Sequence, residues 1–304
     1  MKSKNFSAAK INKMLKRVMA SPTYEKAYKD LSFMQIEELR PIRLQLELLK
    51  PEMALTAHDI RSTIVVFGSA RLNPPDVMRK KVAAARRRLQ ARPRSRELQE
   101  QLHTAEQMQK NSHYYEEARR FAAIATRASQ ADKKRDFVIV TGGGPGIMEA
   151  ANRGAFDAGG KSIGLNITLP HEQTPNPYMT PELSFCFHYF AIRKMHFMMR
   201  AKAMVAFPGG FGTFDELFET LTLVQTSKKS DFPIILFGRE FWTKAVNLEF
   251  LAEQGVISRR DLKLFRIVET AEEAWQSIRM YWKKHGTQLA KRRRTLIADH
   301  LDDA

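Results

Sequence analysis

The stretch Pro208-Gly209-Gly210-Phe211-Gly212-Thr213-Phe214-Asp215-Glu216 brings glycines, a threonine and two carboxylates together in one short run. It follows an apolar run at 203–207 that reads as a buried strand. It precedes Leu217, Phe218, Leu221 and Val224, which are spaced as one face of a helix. A glycine-rich turn between strand and helix aims backbone N–H groups at one point, and the helix start adds partial positive charge there. That arrangement would hold a phosphate or another anion. Asp215 and Glu216 follow in the first helical turn, about a sugar's length from the anion. The pairing points to chemistry on a sugar phosphate.

A second turn repeats the arrangement. Residues 137–141 form a strand, Gly142-Gly143-Gly144-Pro145-Gly146 a turn, and 147–158 a helix that Gly159 and Gly160 terminate. Two such turns belong at the same edge of a parallel sheet. Ile147 replaces the third glycine of G-x-G-x-x-G, no acidic residue ends the next strand at 162–168, and neither turn carries Gly-Lys-Ser/Thr. Readings as an NAD enzyme or a P-loop ATPase are therefore disfavoured. Arg193 and Lys194 stand in a helical pattern at 190–202, just before the strand that feeds the first turn. A cation pair there would hold a phosphate or polarise a leaving group. The competing reading of these features is tight connections and a surface dipeptide.

On these residues the chain resembles the Lonely Guy (LOG) family, whose members are often labelled lysine decarboxylases. The family pattern is PGGxGTxxE, a GGGxxGxM turn and an Arg-Lys pair. Here they read PGGFGTFDE, GGGPGIME and Arg193-Lys194, in the family's order. The longer TGGGPGIMEAANRGA form is similar to the larger bacterial branch. The resemblance implies hydrolysis of the N-glycosidic bond of a nucleoside 5′-monophosphate, AMP or a cytokinin riboside monophosphate, without metal or cofactor. It implies Glu216 and Arg193 as catalytic residues. It assigns substrate contacts to Gly142, Gly143, Gly144, Glu172, Lys194, Gly209, Gly210, Gly212, Thr213, Asp215 and Thr222. It also implies a homodimer or larger homo-oligomer. A decarboxylase would need a Schiff-base lysine and pyridoxal phosphate. Lys194 is its one candidate, and the anion turns fit a nucleotide better. The family often shows Glu-Glu where this chain has Asp215-Glu216. The side chains that sandwich the base are not given by the motifs, and Met195 is the one candidate. The alternative reading is a non-catalytic nucleotide sensor or RNA-associated protein on the same fold.

Strands at 63–68, 137–141, 162–168, 183–187, 203–207, 233–237 and 264–268 alternate with helical patterns. This predicts an α/β, Rossmann-like, doubly wound parallel sheet. Residues 1–60 read as a helical N-terminal extension. Its apolar faces (Ile11, Met14, Leu15, Val18; Leu39, Ile42, Leu46, Leu49) are expected to pack on the core or on a partner subunit. The Rossmann-like domain spans 61–282. Within it, 76–113 is a Lys/Arg/Gln-rich insertion, expected as an exposed helical hairpin separable from catalysis. A basic tail, 283–304, is expected to fray. The Pro-rich loop 170–182 is expected to shape the site.

The net charge of +17 lies mostly outside the motifs: 76–135 holds 16 Lys/Arg against 7 Asp/Glu, and 1–60 holds 11 against 7. Solvated helix faces are the preferred reading, with a nucleic-acid surface as the alternative. The single cysteine, Cys186, lies in an apolar run and is expected to be a buried structural thiol. The histidines show no metal-ligand spacing. No run is long and apolar enough for a membrane span, and no signal core follows Met1-Lys2-Ser3-Lys4, so a cytoplasmic location is expected.

Overall fold

The seven short apolar runs become seven strands of one sheet. A computed structural model describes residues 7–131, 135–168 and 174–301, with 287–301 as helix backbone. Helices α1 (Ala8–Met19), α2 (Leu31–Met34) and α3 (Arg40–Ala57) precede β1 (Thr63–Phe67). Next come α4 (Pro75–Ala91), α5 (Arg96–Lys110), α6 (His113–Ser129), β2 (Val138–Thr141), α7 (Ile147–Asp157), β3 (Ser162–Ile167) and β4 (Ser184–Phe187). The chain continues as α8 (Phe190–Met199), β5 (Ala201–Ala206), α9 (Phe211–Gln225) and β6 (Ile234–Phe237). It ends with α10 (Arg239–Ala245), α11 (Leu248–Glu253), β7 (Phe265–Val268) and α12 (Ala271–Leu301).

The strand order is β4-β3-β2-β1-β5-β6-β7, with every neighbouring pair parallel. A sheet covered on both faces needs strands apolar on both sides. In β1 all five residues are buried. Ile64 and Val66 join Phe121, Ile139, Ile147 and Ile278 on the face of α6, α7 and α12. Val65 and Phe67 alternate to the opposite face, with Phe197, Leu217 and Trp242 from α8, α9 and α10. The result is the doubly wound α/β fold read from the sequence. The order of connection reverses between β1 and β5, and such folds bind ligands in the crevice outside the strand ends at that point.

The chain divides into two compact units, residues 1–50 and 51–304. In the first, Arg43 donates to the carbonyls of Met34 (2.9 Å) and Ile36 (2.6 Å). Ile11, Met14, Leu15, Val18, Ile42, Leu46 and Leu49 are exposed. The second unit carries the sheet, both glycine turns and the basic insertion.

Two details depart from the sequence expectations. Cys186 is exposed, not a buried thiol. It lies on β4, an edge strand, where Phe185 and Phe187 alternate into the core and Cys186 takes the uncovered face. The second helix of the insertion, α5, ends at Asn111-Ser112. There the Ser112 hydroxyl donates to the Gln109 carbonyl (2.6 Å), and α6 turns to bury Tyr114 and Tyr115. The segment expected to fray after Trp282 continues α12 to Leu301, because its Lys, Arg, Gln and Leu residues favour helix. Among the described residues no helix is long and apolar enough to cross a membrane.

Candidate active site

The loops that leave β1, β2 and β5 meet at the reversal point. Ser69, just past β1, ties two of them to itself. Its N–H donates to the Pro208 carbonyl (3.0 Å), and its carbonyl accepts from Ile147 N–H (3.1 Å). Both glycine turns are thereby held against one backbone segment. No sequence motif singled out Ser69. Its signal was its position after the central strand of the sheet.

The turn before α9 is open. Gly210 is the N-cap residue, and no side chain caps the helix. The first N–H groups of α9 thus keep their donor capacity. A Cβ added at Gly210 or Gly212 would meet nothing within 4 Å, and neither residue has a positive φ. Neither packing nor backbone conformation demands glycine there. What the two glycines provide is bare backbone at a helix N-terminus, where an anion can approach closely. Gly209 differs, because a Cβ there would strike the Thr213 hydroxyl.

The turn before α7 is closed. Gly143 and Gly146 have φ of +73° and +71°. A Cβ at Gly143 would strike the Asn166 amide, and one at Gly146 would strike the Ser69 carbonyl. Asn176 of the Pro-rich loop donates to the carbonyls of Gly143 (2.9 Å) and Gly144 (3.0 Å). Gly142 alone of this trio faces the cleft, where a Cβ would sit 2.5 Å from Arg193 Nη2.

Helix α8 brings Arg193 to that glycine. Its Nε donates to the Leu165 carbonyl (2.7 Å), which fixes the plane of the guanidinium. Burial lowers its pKa from the ordinary value, and the Glu216 charge opposes that shift. Glu216 is only 7% exposed. Burial pushes its carboxyl up to about 7; Lys194 and Arg193 pull against this, and Glu219 and Asp215 add to it. Its carboxylate makes no hydrogen bond to the described residues, so its lone pairs remain available to water or substrate. Lys194 is bound elsewhere, to Asp215 (2.9 Å) and Glu219 (2.7 Å). Burial opposes the Lys194 charge, yet the hydrogen bonds it donates to these carboxylates outweigh it and hold the ammonium above its usual range. A Schiff-base lysine needs the opposite shift.

Arg193, Glu216, Asp215, Thr213, Gly210, Gly212 and Gly142 line one cleft of about 650 Å³, with Ser69 and Arg71 from the β1 loop. Lys194 reaches it only through its pairing with Asp215. Gly143 and Gly144 are buried beneath it. Thr222 is exposed further along α9, its hydroxyl donating to the Phe218 carbonyl (2.7 Å). Glu172 lies outside the described residues. Met195 is exposed and does not line the cleft. The apolar lining comes instead from Phe67, Met108, Met148, Phe190 and Phe211, none of which the motifs singled out for that role. A second cleft, about 710 Å³, lies beside β3, β4 and the Pro-rich loop, and no charged side chain among the described residues lines it.

Comparison with known proteins bears on this cleft. The family model described as "Possible lysine decarboxylase" matches residues 148–278. Two similar proteins are from Arabidopsis thaliana. Cytokinin riboside 5′-monophosphate phosphoribohydrolase LOG1 is 27% identical over 164 residues, covering 52% of this chain and 75% of its own. LOG2, of the same description, is 24% identical over 176 residues, covering 56% and 79%. Among solved structures, a molybdenum cofactor binding protein from Rippkaea orientalis superposes with a TM-score of 0.44 at 16% identity, covering 73% of this chain and 98% of that one. The Moco carrier protein from Chlamydomonas reinhardtii gives 0.43 at 16% identity, covering 74% and 99%. Likeness that distant carries no functional weight.

Proposed function

Because the chain belongs to the LOG family, we propose that it hydrolyses the N-glycosidic bond of a nucleoside 5′-monophosphate, giving free base and ribose 5-phosphate. The observation that carries this reading is the cleft itself. It joins an uncapped helix N-terminus, left bare by Gly210 and Gly212, to a buried, unbonded carboxylate and a fixed guanidinium.

The 5′-phosphate sits against the first N–H groups of α9 and the Thr213 hydroxyl. That anchors the ribose beside Glu216, in the same helical turn. Cleavage of the C1′–N bond proceeds through an oxocarbenium-like state, with positive charge on the sugar. The Glu216 carboxylate faces that charge in a desolvated site, where the interaction is strong. Water adds its oxygen to C1′, and its proton passes to Glu216, whose raised pKa suits a base working near neutrality. The base leaves with the bonding electron pair, and Arg193 stabilises the charge developing on it. Lys194 keeps Asp215 and Glu219 neutralised beside Glu216. A homo-oligomer, no metal and no cofactor complete the reading.

The test is a panel of nucleoside monophosphates, with release of free base followed by chromatography. A purine monophosphate should turn over, and the corresponding nucleoside far more slowly. Equal rates on adenosine and AMP would refute the phosphate anchor. Binding of the monophosphate without release of base would favour the sensor instead.

A further inference from the structure

The insertion that the sequence reading set apart from catalysis reaches the cleft. Met108, on α5, lines it together with Gly142, Arg193, Gly210 and Glu216. We propose that α5 is the specificity element of this site: Met108, with Phe211, forms the apolar wall that receives the base and favours purines over pyrimidines. The inference rests on the proposed hydrolase reading and names the base-recognition element within it.

Three observations converge. First, the pattern of α5 explains its packing but not Met108. Leu98, Leu102, Ala105 and Gln109 recur at helical spacing and are half-buried, as a stripe packed against a neighbouring helix should be. Met108 falls about a quarter-turn off that stripe, given roughly 100° per residue. It is nonetheless half-buried, because it faces the cleft.

Second, the hairpin is held in place. Met78 and Val82 of α4 are buried. Arg86 of α4 pairs with Glu106 of α5 at 2.7 Å. Asn111 and the buried Ser112 then join α5 directly to α6, whose Tyr115, Phe121 and Ala122 sit in the core. Met108 lies within one turn of that junction, so its position is fixed by the main fold.

Third, the cleft has more apolar lining than a sugar phosphate can use. Phe211 is 96% exposed and Phe190 is 54% exposed, both on the cleft wall. Ribose and phosphate are polar and are served by α9, Glu216 and Arg193. The planar base is the substrate part with apolar faces. Aromatic rings stack on such faces, and a thioether makes favourable contacts with them. The larger face of a purine gains more from this wall than a pyrimidine does.

The experiment compares wild type with Met108→Ala, Met108→Leu and Thr104→Ala. Thr104 is an exposed residue one turn earlier on α5. Affinities for AMP, CMP and ribose 5-phosphate are measured by calorimetry, alongside kcat/KM for the two nucleotides. Met108→Ala should weaken AMP binding about 2- to 12-fold, the span of a single thioether–ring contact. CMP binding should fall less, and ribose 5-phosphate binding should not change. Met108→Leu should restore most of the loss, and Thr104→Ala should match wild type. An unchanged AMP to CMP ratio in Met108→Ala would overturn the proposal. So would an equal loss for ribose 5-phosphate, which would mark Met108 as merely structural. If wild type binds nucleotides but releases no base, the hydrolase reading fails while the affinity ratios still judge Met108.

Discussion

The two glycine-rich turns look alike in sequence and are glycine-rich for opposite reasons. In the turn before α7, the protein itself fills the space. Gly143 and Gly146 have left-handed φ, and their missing side chains make room for Asn166 and for the Ser69 carbonyl. In the turn before α9, Gly210 and Gly212 have nothing beside them and no unusual φ. The carboxylates that follow divide in the same way. Glu149, in the first turn of α7, accepts a hydrogen bond from the Tyr115 hydroxyl (2.7 Å). Glu216, near the start of α9, is buried with no such bond. One turn is built to close the fold, and the other is left open for a ligand.

The sharpest way to break this comparison is to remove each carboxylate's charge. Glu216→Gln should lower kcat by about 10²–10³-fold, the typical cost of one positioned group at a developing charge. Arg193→Ala should do the same. Glu149→Gln, which retains an acceptor for Tyr115, should leave kcat near wild type. Comparable losses at Glu149 and Glu216 would erase the distinction.

The next effect is on stability. Gly146→Ala puts a Cβ into the Ser69 carbonyl and a side chain at φ +71°. The backbone strain alone costs roughly 1–3 kcal/mol, and the clash adds to it. A thermal melt should show a clear fall in Tm. Gly212→Ala, inside the helix, should melt at or above the wild-type temperature, since alanine stabilises helices relative to glycine, whereas Gly210→Ala should melt slightly lower, since glycine is favoured over alanine at an N-cap. These two variants should instead bind ribose 5-phosphate about tenfold more weakly, the loss of roughly one charge-assisted hydrogen bond. A fall in Tm without a loss of affinity would mean that the second turn is closed as well.

The smallest effect is linked to pH. Glu216 titrates near 7 in the folded protein, above its ordinary value of 4.5. Between those values the folded state holds a proton that the unfolded state has released. Stability therefore falls as pH rises through this window, and it levels off above about 7. Glu216→Gln should remove that slope and be relatively more stable at pH 8 than at pH 5. The kcat/KM of wild type should move the other way, rising as the carboxylate ionises. Parallel Tm–pH curves for wild type and Glu216→Gln would contradict the buried carboxylate.

The legibility of the site followed the range of each interaction. Local features were readable: a glycine run between an apolar strand and a helix forms a turn wherever it occurs, and Glu216 follows that turn in sequence. Arg193 was readable only as one of a pair. Its contact with Gly142 joins α8 to the β2 turn, and sequence spacing does not state such a distance. Ser69 and Met108 carried no motif. Cys186 was misread because an apolar run looks the same on a central strand as on an edge strand, where only alternate residues are covered. The place of Met108 in the cleft was not readable, because composition reports the insertion's solvated basic face and is silent on where one methionine points.

The sequence by itself determined the seven strands, the parallel α/β class and the two turns, since hydrophobic periodicity and glycine placement act within a few residues. Tertiary structure alone decided which turn is open, which of two adjacent cations faces the cleft and which is tied to Asp215 and Glu219, and that a helix from the insertion walls the cleft. Those outcomes depend on what packs against each position across the reversal between β1 and β5, and no single segment of the chain carries that information.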